Sequence, residues 1–277
     1  MCTEQKQEVF MDSGAMYGEL DRMFAEGRPA GEIEDYLRKA LKEGEDENNA
    51  ELIIAASNEL GGLCRVKNDF EEAIALHLKV LELLEAAGQR ETENYATALI
   101  NYGDVFAAAG KNEGALEVFT EAERMLSELG LDEDYRTAAL RNNMSGVYLA
   151  LGDGEKAEKA IQGALEIIER MPDKWAEAAT SHINLGAIRT DEGRYDEALE
   201  NFFKAEKMFE DNDCRDHHYA AALAGEAKVR YLTGNCENAA GRFREAAELI
   251  RERYGENETY RMLMQSLNTV NEKANKR

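Results

Sequence analysis

Residues 101–122 read NYGDVFAAAGKNEGALEVFTEA, and their order of small residue, turn glycine, alanine and aromatic returns along the chain. The marker alanine stands at Ala73, Ala115, Ala157, Ala198 and Ala239, with successive spacings of 42, 42, 41 and 41 residues. Five residues before each comes a turn residue: Asn68, Gly110, Gly152, Gly193 and Gly234. Twelve before each is a small side chain (Gly61, Gly103, Ser145, Gly186, Ala227), and four after it a bulky one (His77, Phe119, Ile161, Phe202, Phe243). Self-similarity at this period marks a stacked array, in which each unit buries its apolar face against its neighbours.

Between the turn residues the apolar positions recur at three and four, as amphipathic helices require. In the quoted unit Ala98, Leu99, Tyr102 and Phe106 share one helix, and Ala115, Leu116, Phe119 and Ala122 share a second. Gly110 breaks the run because it accepts a left-handed backbone that other residues adopt only at a cost of about 1 kcal/mol or more. The small residue lets the two helices approach, and the bulky one wedges into the next hairpin. The pattern predicts an all-α solenoid of antiparallel hairpins over residues 50–90, 92–131, 134–171, 175–212 and 217–254. A degenerate hairpin at 16–43, with Gly27 and Pro29 at its turn and Ile33 at the marker position, and a lone amphipathic helix from Thr259 flank the array. The chain thus divides into 1–48, an N-terminal tail and capping hairpin, 49–256, five hairpins, and 257–277, a C-terminal capping helix. Either end could instead form a dimer surface.

Among 277 residues, 56 are Asp or Glu and 33 are Lys or Arg, giving a formal net charge of −23, and only 2 are proline. That charge, unbroken by any basic cluster, repels nucleic acid phosphates and anionic lipid, so neither nucleic acid nor membrane is an expected partner. A solvated outer face accounts for the acidity, with a surface suited to a basic partner as the alternative. The opening MCTEQKQEVF has neither the basic start nor the apolar core of a secretory signal, and no apolar run of about 18 residues spans a bilayer. Cys2, Cys64, Cys214 and Cys236 show no paired spacing, which reads as reduced thiols in a cytoplasmic compartment.

Asn101–Ala122 and NLGAIRTDEGRYDEALENFFKA, Asn184–Ala205, resemble the tetratricopeptide repeat (TPR) family. Both carry a Leu/Tyr-Gly pair, a turn glycine, an alanine, and an aromatic followed by alanine. The resemblance covers nearly the whole chain. The usual period of that family is about 34 residues, so these units carry roughly one more turn per helix. They are similar to the long-period repeats of kinesin light chains and of bacterial peptide-sensing regulators. Glu226 and Arg230 in the last hairpin and Arg141 in the third stand where large apolar residues are usual, so the fifth hairpin is expected to be less regular. The resemblance implies a right-handed superhelix whose first helices line a concave groove for peptides or other proteins.

Asn101, Asn143 and Asn184 occupy one register on three successive first helices, and Asn58 and Asn142 sit one residue earlier in theirs. A carboxamide offers an acceptor and two donors, so a row of them can grip the backbone of an extended peptide. The competing account is that these asparagines bond to a neighbouring helix and set hairpin packing. The family pattern adds Glu59, Thr97, Asp104, Thr180, Asp191 and Lys228 as groove-facing positions. That mixed lining lacks the basic cluster that would clamp a C-terminal carboxylate.

Cys214, His217 and His218 invite a metal reading, but no second Cys/His pair lies nearby, and no metal or other cofactor is expected. His77 and His182 fall at or near packing positions. No phosphate-binding, dinucleotide-binding, zinc-protease or nucleophile-elbow motif is present. The expected function is a non-enzymatic interaction scaffold for a peptide or extended protein segment, with a peptide-sensing regulator or a homo-oligomer through the terminal helices as alternatives.

Overall fold

The computed structural model describes residues 11–275, and the reading of Cys2 as a reduced thiol falls outside them. Among them the secondary structure is helical throughout, apart from turns, and no helix is long and apolar enough to cross a membrane. The helices pair as α1 (Ser13–Ala25) with α2 (Ala30–Glu47), α3 (Ala50–Val66) with α4 (Phe70–Ala86), and α5 (Glu93–Ala108) with α6 (Asn112–Glu128). There follow α7 (Tyr135–Ala150) with α8 (Gly154–Ile168), α9 (Trp175–Asp191) with α10 (Tyr195–Asp211), α11 (His217–Leu232) with α12 (Cys236–Tyr254), and a final α13 (Glu258–Asn275). The chain separates into two compact units, the first ending at Asp132 and the second beginning at Glu133.

Local chemistry starts and stops these helices. The side chains of Asn49, Asp69, Thr92, Asp134, Asp153 and Asp216 each accept a hydrogen bond from an amide in the first turn of the helix that follows. The five turn residues all take positive φ, from 62° at Asn68 to 88° at Gly234. At Gly110 the reversal closes with two bonds, Gly110 N to Ala107 O at 3.0 Å and Lys111 N to Phe106 O at 2.9 Å, which satisfy carbonyls the helix would otherwise leave open.

Packing within a hairpin rests on the small-residue and ring contact. A Cβ placed on Gly103 would lie 2.4 Å from Cε1 of Phe119, and one on Gly186 would lie 2.9 Å from Cζ of Phe202. Phe119 and Phe202 are almost wholly buried, worth about 2 kcal/mol each in apolar area removed from water. In the first unit Met16, Leu20, Leu37, Leu52, Leu60 and Ala73 share one core. In the second, Phe209, Tyr219, Leu223, Phe243 and Ile250 form another, on which Leu263, Leu267 and Val270 of α13 are buried.

The fifth hairpin differs from its expected irregularity: α11 and α12 are continuous helices, and Glu226 and Arg230 are accommodated by ion pairing instead of by backbone distortion. Arg141 reaches along α8 and donates to the carbonyl of Gly163 at 3.3 Å, which is why the absence of a side chain at Gly163 matters there. Cys64, Cys214 and Cys236 are free thiols, and burial, followed by the charge of Glu72, pushes the Cys64 thiol up to about 11.

His77 replaces the ring of the marker pattern with a buried imidazole whose Nδ1 meets no hydrogen-bond partner. Burial, then Arg65, pushes it down from 6.5 to about 4. The unfolded chain therefore takes up a proton as pH falls below 6.5 while the folded chain does not until about 4, so stability is full above 6.5 and declines between these values. His77→Phe, which restores the residue found at 119, 202 and 243, is expected to remove a pH-dependent loss of about 2 kcal/mol between pH 7.5 and pH 5, read from denaturant unfolding at both. A wild-type midpoint that stays flat over that range would contradict it. Gly103→Ala is expected to destabilise by about 1–3 kcal/mol through overpacking against Phe119. Gly62→Ala, where a Cβ meets nothing within 4 Å, should instead stabilise by about 0.5–1 kcal/mol.

Candidate functional site

In the first unit the candidate residues sit on α3 and α5. Asn58 is half-buried, and its Oδ1 is enclosed without a hydrogen-bond donor. The neighbouring Glu59 carboxyl is pushed up by burial and then by Asp21 of α1, and Tyr17 of α1 is raised by burial and then by Glu59. These effects bring Tyr17, Asp21 and Glu59 into one polar surface on the first helices. On α5, the Thr97 hydroxyl donates to the Glu93 carbonyl at 2.9 Å, so its hydrogen is committed within its own helix. Asp104 is half-buried. Asn101 is also half-buried, and its carboxamide has no partner among the described residues.

In the second unit the two asparagines of α7 stand differently. Asn142 Nδ2 donates to Ser181 Oγ of α9 at 2.9 Å, and the Ser181 hydroxyl donates onward to the Glu177 carbonyl at 2.9 Å. This joins consecutive first helices, which is the packing role weighed above for asparagine. Asn143 is half-buried, whereas Asn184 on α9 is exposed and has no partner among the described residues. Thr180 resembles Thr97, its hydroxyl donating to the Ala176 carbonyl at 2.9 Å. Lys228 of α11 pairs with Asp191 of α9 at 2.9 Å; both are exposed, so the pair contributes at most about 1 kcal/mol.

Behind this face lies a buried hydrogen-bond relay that periodicity does not reveal. His182 of α9 faces two acceptors, Asn201 Oδ1 at 2.9 Å and Glu169 Oε1 at 3.0 Å. The Asn201 amide is oriented by donating its Nδ2 to the Glu197 carbonyl at 2.7 Å. His182 thereby ties α9 to the end of α8 and to α10, the structural role expected from its position.

Asp216, His217 and His218 place ligand atoms within 4.8 Å of one another, a grouping that excludes Cys214. The carboxylate Oδ1 of Asp216 serves as the N-cap of α11, accepting from the amides of His218 and Tyr219 at 2.8 Å and 3.2 Å. The two imidazoles lie against each other at 4.0 Å between centroids.

A family model described as tetratricopeptide repeat matches residues 51–128 and 136–211, more than half of the chain. The protein KINESIN LIGHT CHAIN-RELATED 2 of Arabidopsis thaliana is 26% identical over 259 residues, covering 90% of this chain, which spans only 39% of that relative's length. Among solved structures, BtubC (BKLC) from P. vanneervenii is similar with a TM-score of 0.66 at 19% identity, over 86% of this chain and 93% of that one. The quorum sensor NprR from B. thuringiensis, in its apo form, gives a TM-score of 0.72 at 17% identity, over 93% of this chain and 71% of that one. NprR in complex with its cognate peptide NprX gives 0.64 at 16% identity, over 95% and 75%. These structural likenesses establish the kind of fold, helical hairpins of TPR type.

The two asparagine environments predict opposite outcomes on truncation. Asn142→Ala removes an interhelical bond and should destabilise by about 1 kcal/mol in thermal or denaturant unfolding. Asn184→Ala, at an exposed carboxamide without a partner, should change stability by no more than about 0.5 kcal/mol.

Proposed function

Because the chain belongs to the tetratricopeptide repeat family, we propose that it is a non-enzymatic interaction scaffold that binds a peptide or an extended protein segment along its first-helix face. The observation that supports this most is the pair of carboxamides at Asn101 and Asn184. They share one register of the repeat, lie on first helices, and have no hydrogen-bond partner among the described residues. Both carboxamides, half-buried at Asn101 and exposed at Asn184, offer an acceptor and two donors that a peptide backbone can match. In this reading Asn58, Thr97 and Asp104 flank Asn101 in the first unit, and Asn143, Thr180 and Lys228 flank Asn184 in the second. Asn142 contributes by holding α7 to α9, and its carboxamide would bind a ligand only by exchanging its bond to Ser181. The capping elements at 1–48 and 257–277, bounding five hairpins at 49–256, and a cytoplasmic setting belong to the same proposal.

Two other readings have specific support. Fold likeness to the quorum sensor NprR, which has been solved with a cognate peptide, favours a peptide-sensing regulator. Exposed apolar side chains on the terminal helices, Phe24 on α1 at 60% and Met262 on α13 at 62%, favour self-association. A concentration-independent monomer mass in light scattering would remove the last.

The decisive comparison sets the wild-type chain beside two variants as baits, Asn101→Ala in the first unit and Asn143→Ala/Asn184→Ala in the second. A segment bound at the first unit should lose about 5-fold in affinity with Asn101→Ala, and one bound at the second about 30-fold with Asn143→Ala/Asn184→Ala, about 1 kcal/mol for each carboxamide, while helicity is unchanged. Equal recovery of the same partners by all three baits would refute binding through these asparagines.

A further inference from the structure

Three helices of the second unit meet at buried charges, in positions where other hairpins carry mostly apolar side chains. Glu206 on α10 stands at the repeat position of Leu81 and Leu165. Glu226 on α11 stands at that of Leu60, Tyr102, Met144 and Leu185, and Arg242 on α12 at that of Leu76, Val118 and Ala160. Glu226 is 0% exposed and Glu206 5%. Arg242 bridges them, with Nε 2.5 Å from Glu226 Oε2 and Nη2 3.0 Å from Glu206 Oε2. Arg230 pairs with the other oxygen of Glu226. Replacing well-packed aliphatic side chains by buried ions rarely adds stability, so this cluster invites a role other than packing.

Glu206 Oε1 is enclosed and meets no N–H or hydroxyl donor, and the single guanidinium of Arg242 holds the Glu206 and Glu226 carboxyls side by side. Two ionised carboxylates cannot bond, since neither carries a hydrogen. One proton between them turns the orphan acceptor into a donor and removes a like-charge repulsion in a site shielded from water. We infer that Glu206 and Glu226 share one proton, and that this proton is a latch holding the α11–α12 hairpin against α10.

The remaining surroundings fit this assignment. From α12, Glu245 accepts from Arg242 Nη1 at 3.1 Å, adding negative charge beside the pair. From α11, Tyr219 donates to Glu210 at 3.0 Å, leaving its hydroxyl hydrogen unavailable to Glu206. From α9, His182 and Arg189 reach α10 at Asn201 and Glu197, more than one helical turn from Glu206. A cavity of about 390 Å³, lined by Glu226, Arg230, Asn238 and Arg242, gives the pair a route to water.

Burial, then the charge of Glu226, pushes Glu206 up from 4.5 to about 8. The closed hairpin therefore keeps a proton that the open, solvated one releases. Opening becomes easier as pH rises from 4.5 to about 8, by up to tenfold per pH unit, and levels off above 8, where both states are ionised.

Hydrogen exchange of α11 and α12 amides, corrected for intrinsic pH dependence, reads this directly. In the wild-type chain the opening constant should rise about 10–100-fold between pH 6 and pH 8, and Glu206→Gln, which keeps shape and donor but no charge change, should flatten the rise. The same rise in Glu206→Gln, or none in wild type, would overturn the latch. Should that variant fail to fold, carboxyl ¹³C shifts of the wild-type chain decide instead: one buried glutamate protonated at pH 6.5 supports the inference, and two ionised carboxylates at that pH refute it.

Discussion

One contact within the hairpins sets what every other feature accommodates: a first helix lacking a side chain where an aromatic ring from the second helix lies. At Gly103 and Gly186 no Cβ fits beside Phe119 and Phe202. Helices that touch at such a point cross close together, and side chains that interdigitate there leave no voids. The turn must then reverse the chain within a few residues, which demands positive φ at the residue five before the marker alanine. The alanine itself keeps the second helix near the first. Ser145 with Ile161, and Ala227 with Phe243, show the compromise when the first helix retains a small side chain. His77 shows another, a polar ring in a place made for an apolar one.

That hierarchy explains how much was readable from the sequence. Gly, Ala and Phe repeat because their sizes are set by one local geometry, so spacing alone recovers the hairpins. Asn142 and Ser181 are 39 residues apart and meet only because α7 packs on α9, and a serine in a helix has no sequence signature for such a bond. Glu226 and Arg230 were visible as departures from an apolar pattern, but their counterpart Glu206 sits on another helix and was hidden among 56 acidic residues. The division between Asp132 and Glu133 left no mark either, because the 42-residue spacing from Ala115 to Ala157 runs through it unchanged. Asn101 and Asn184 were legible as a register, while their lack of partners is a property of what surrounds them.

Buried ionisable groups divide the chain's response to acid. In the first unit the neutral imidazole of His77 resists a proton. In the second, Glu206 retains one well above the pH at which free carboxylates lose theirs. Both follow from desolvation, which disfavours whichever form is charged. The many surface ion pairs add little by comparison, since exposed pairs are screened and spend side-chain entropy to form. A net charge of −23 therefore describes the solvated exterior, and the few charges that matter to folding are those that the hairpins enclose.

Phe202 carries one consequence further. Its ring lies against Gly186 of its own hairpin and also against Gly225 of α11, where a Cβ would come within 2.2 Å of Cε1. Gly225 stands in the register that holds asparagine at 101, 143 and 184. Any side chain at that place would have to displace the ring, so the motif has a steric stop codon of its own: the next repeat cannot extend the row, whatever its sequence would otherwise allow. In the binding mode proposed above, the length of backbone that such a row could grip is limited at Gly225 by the packing of Phe202.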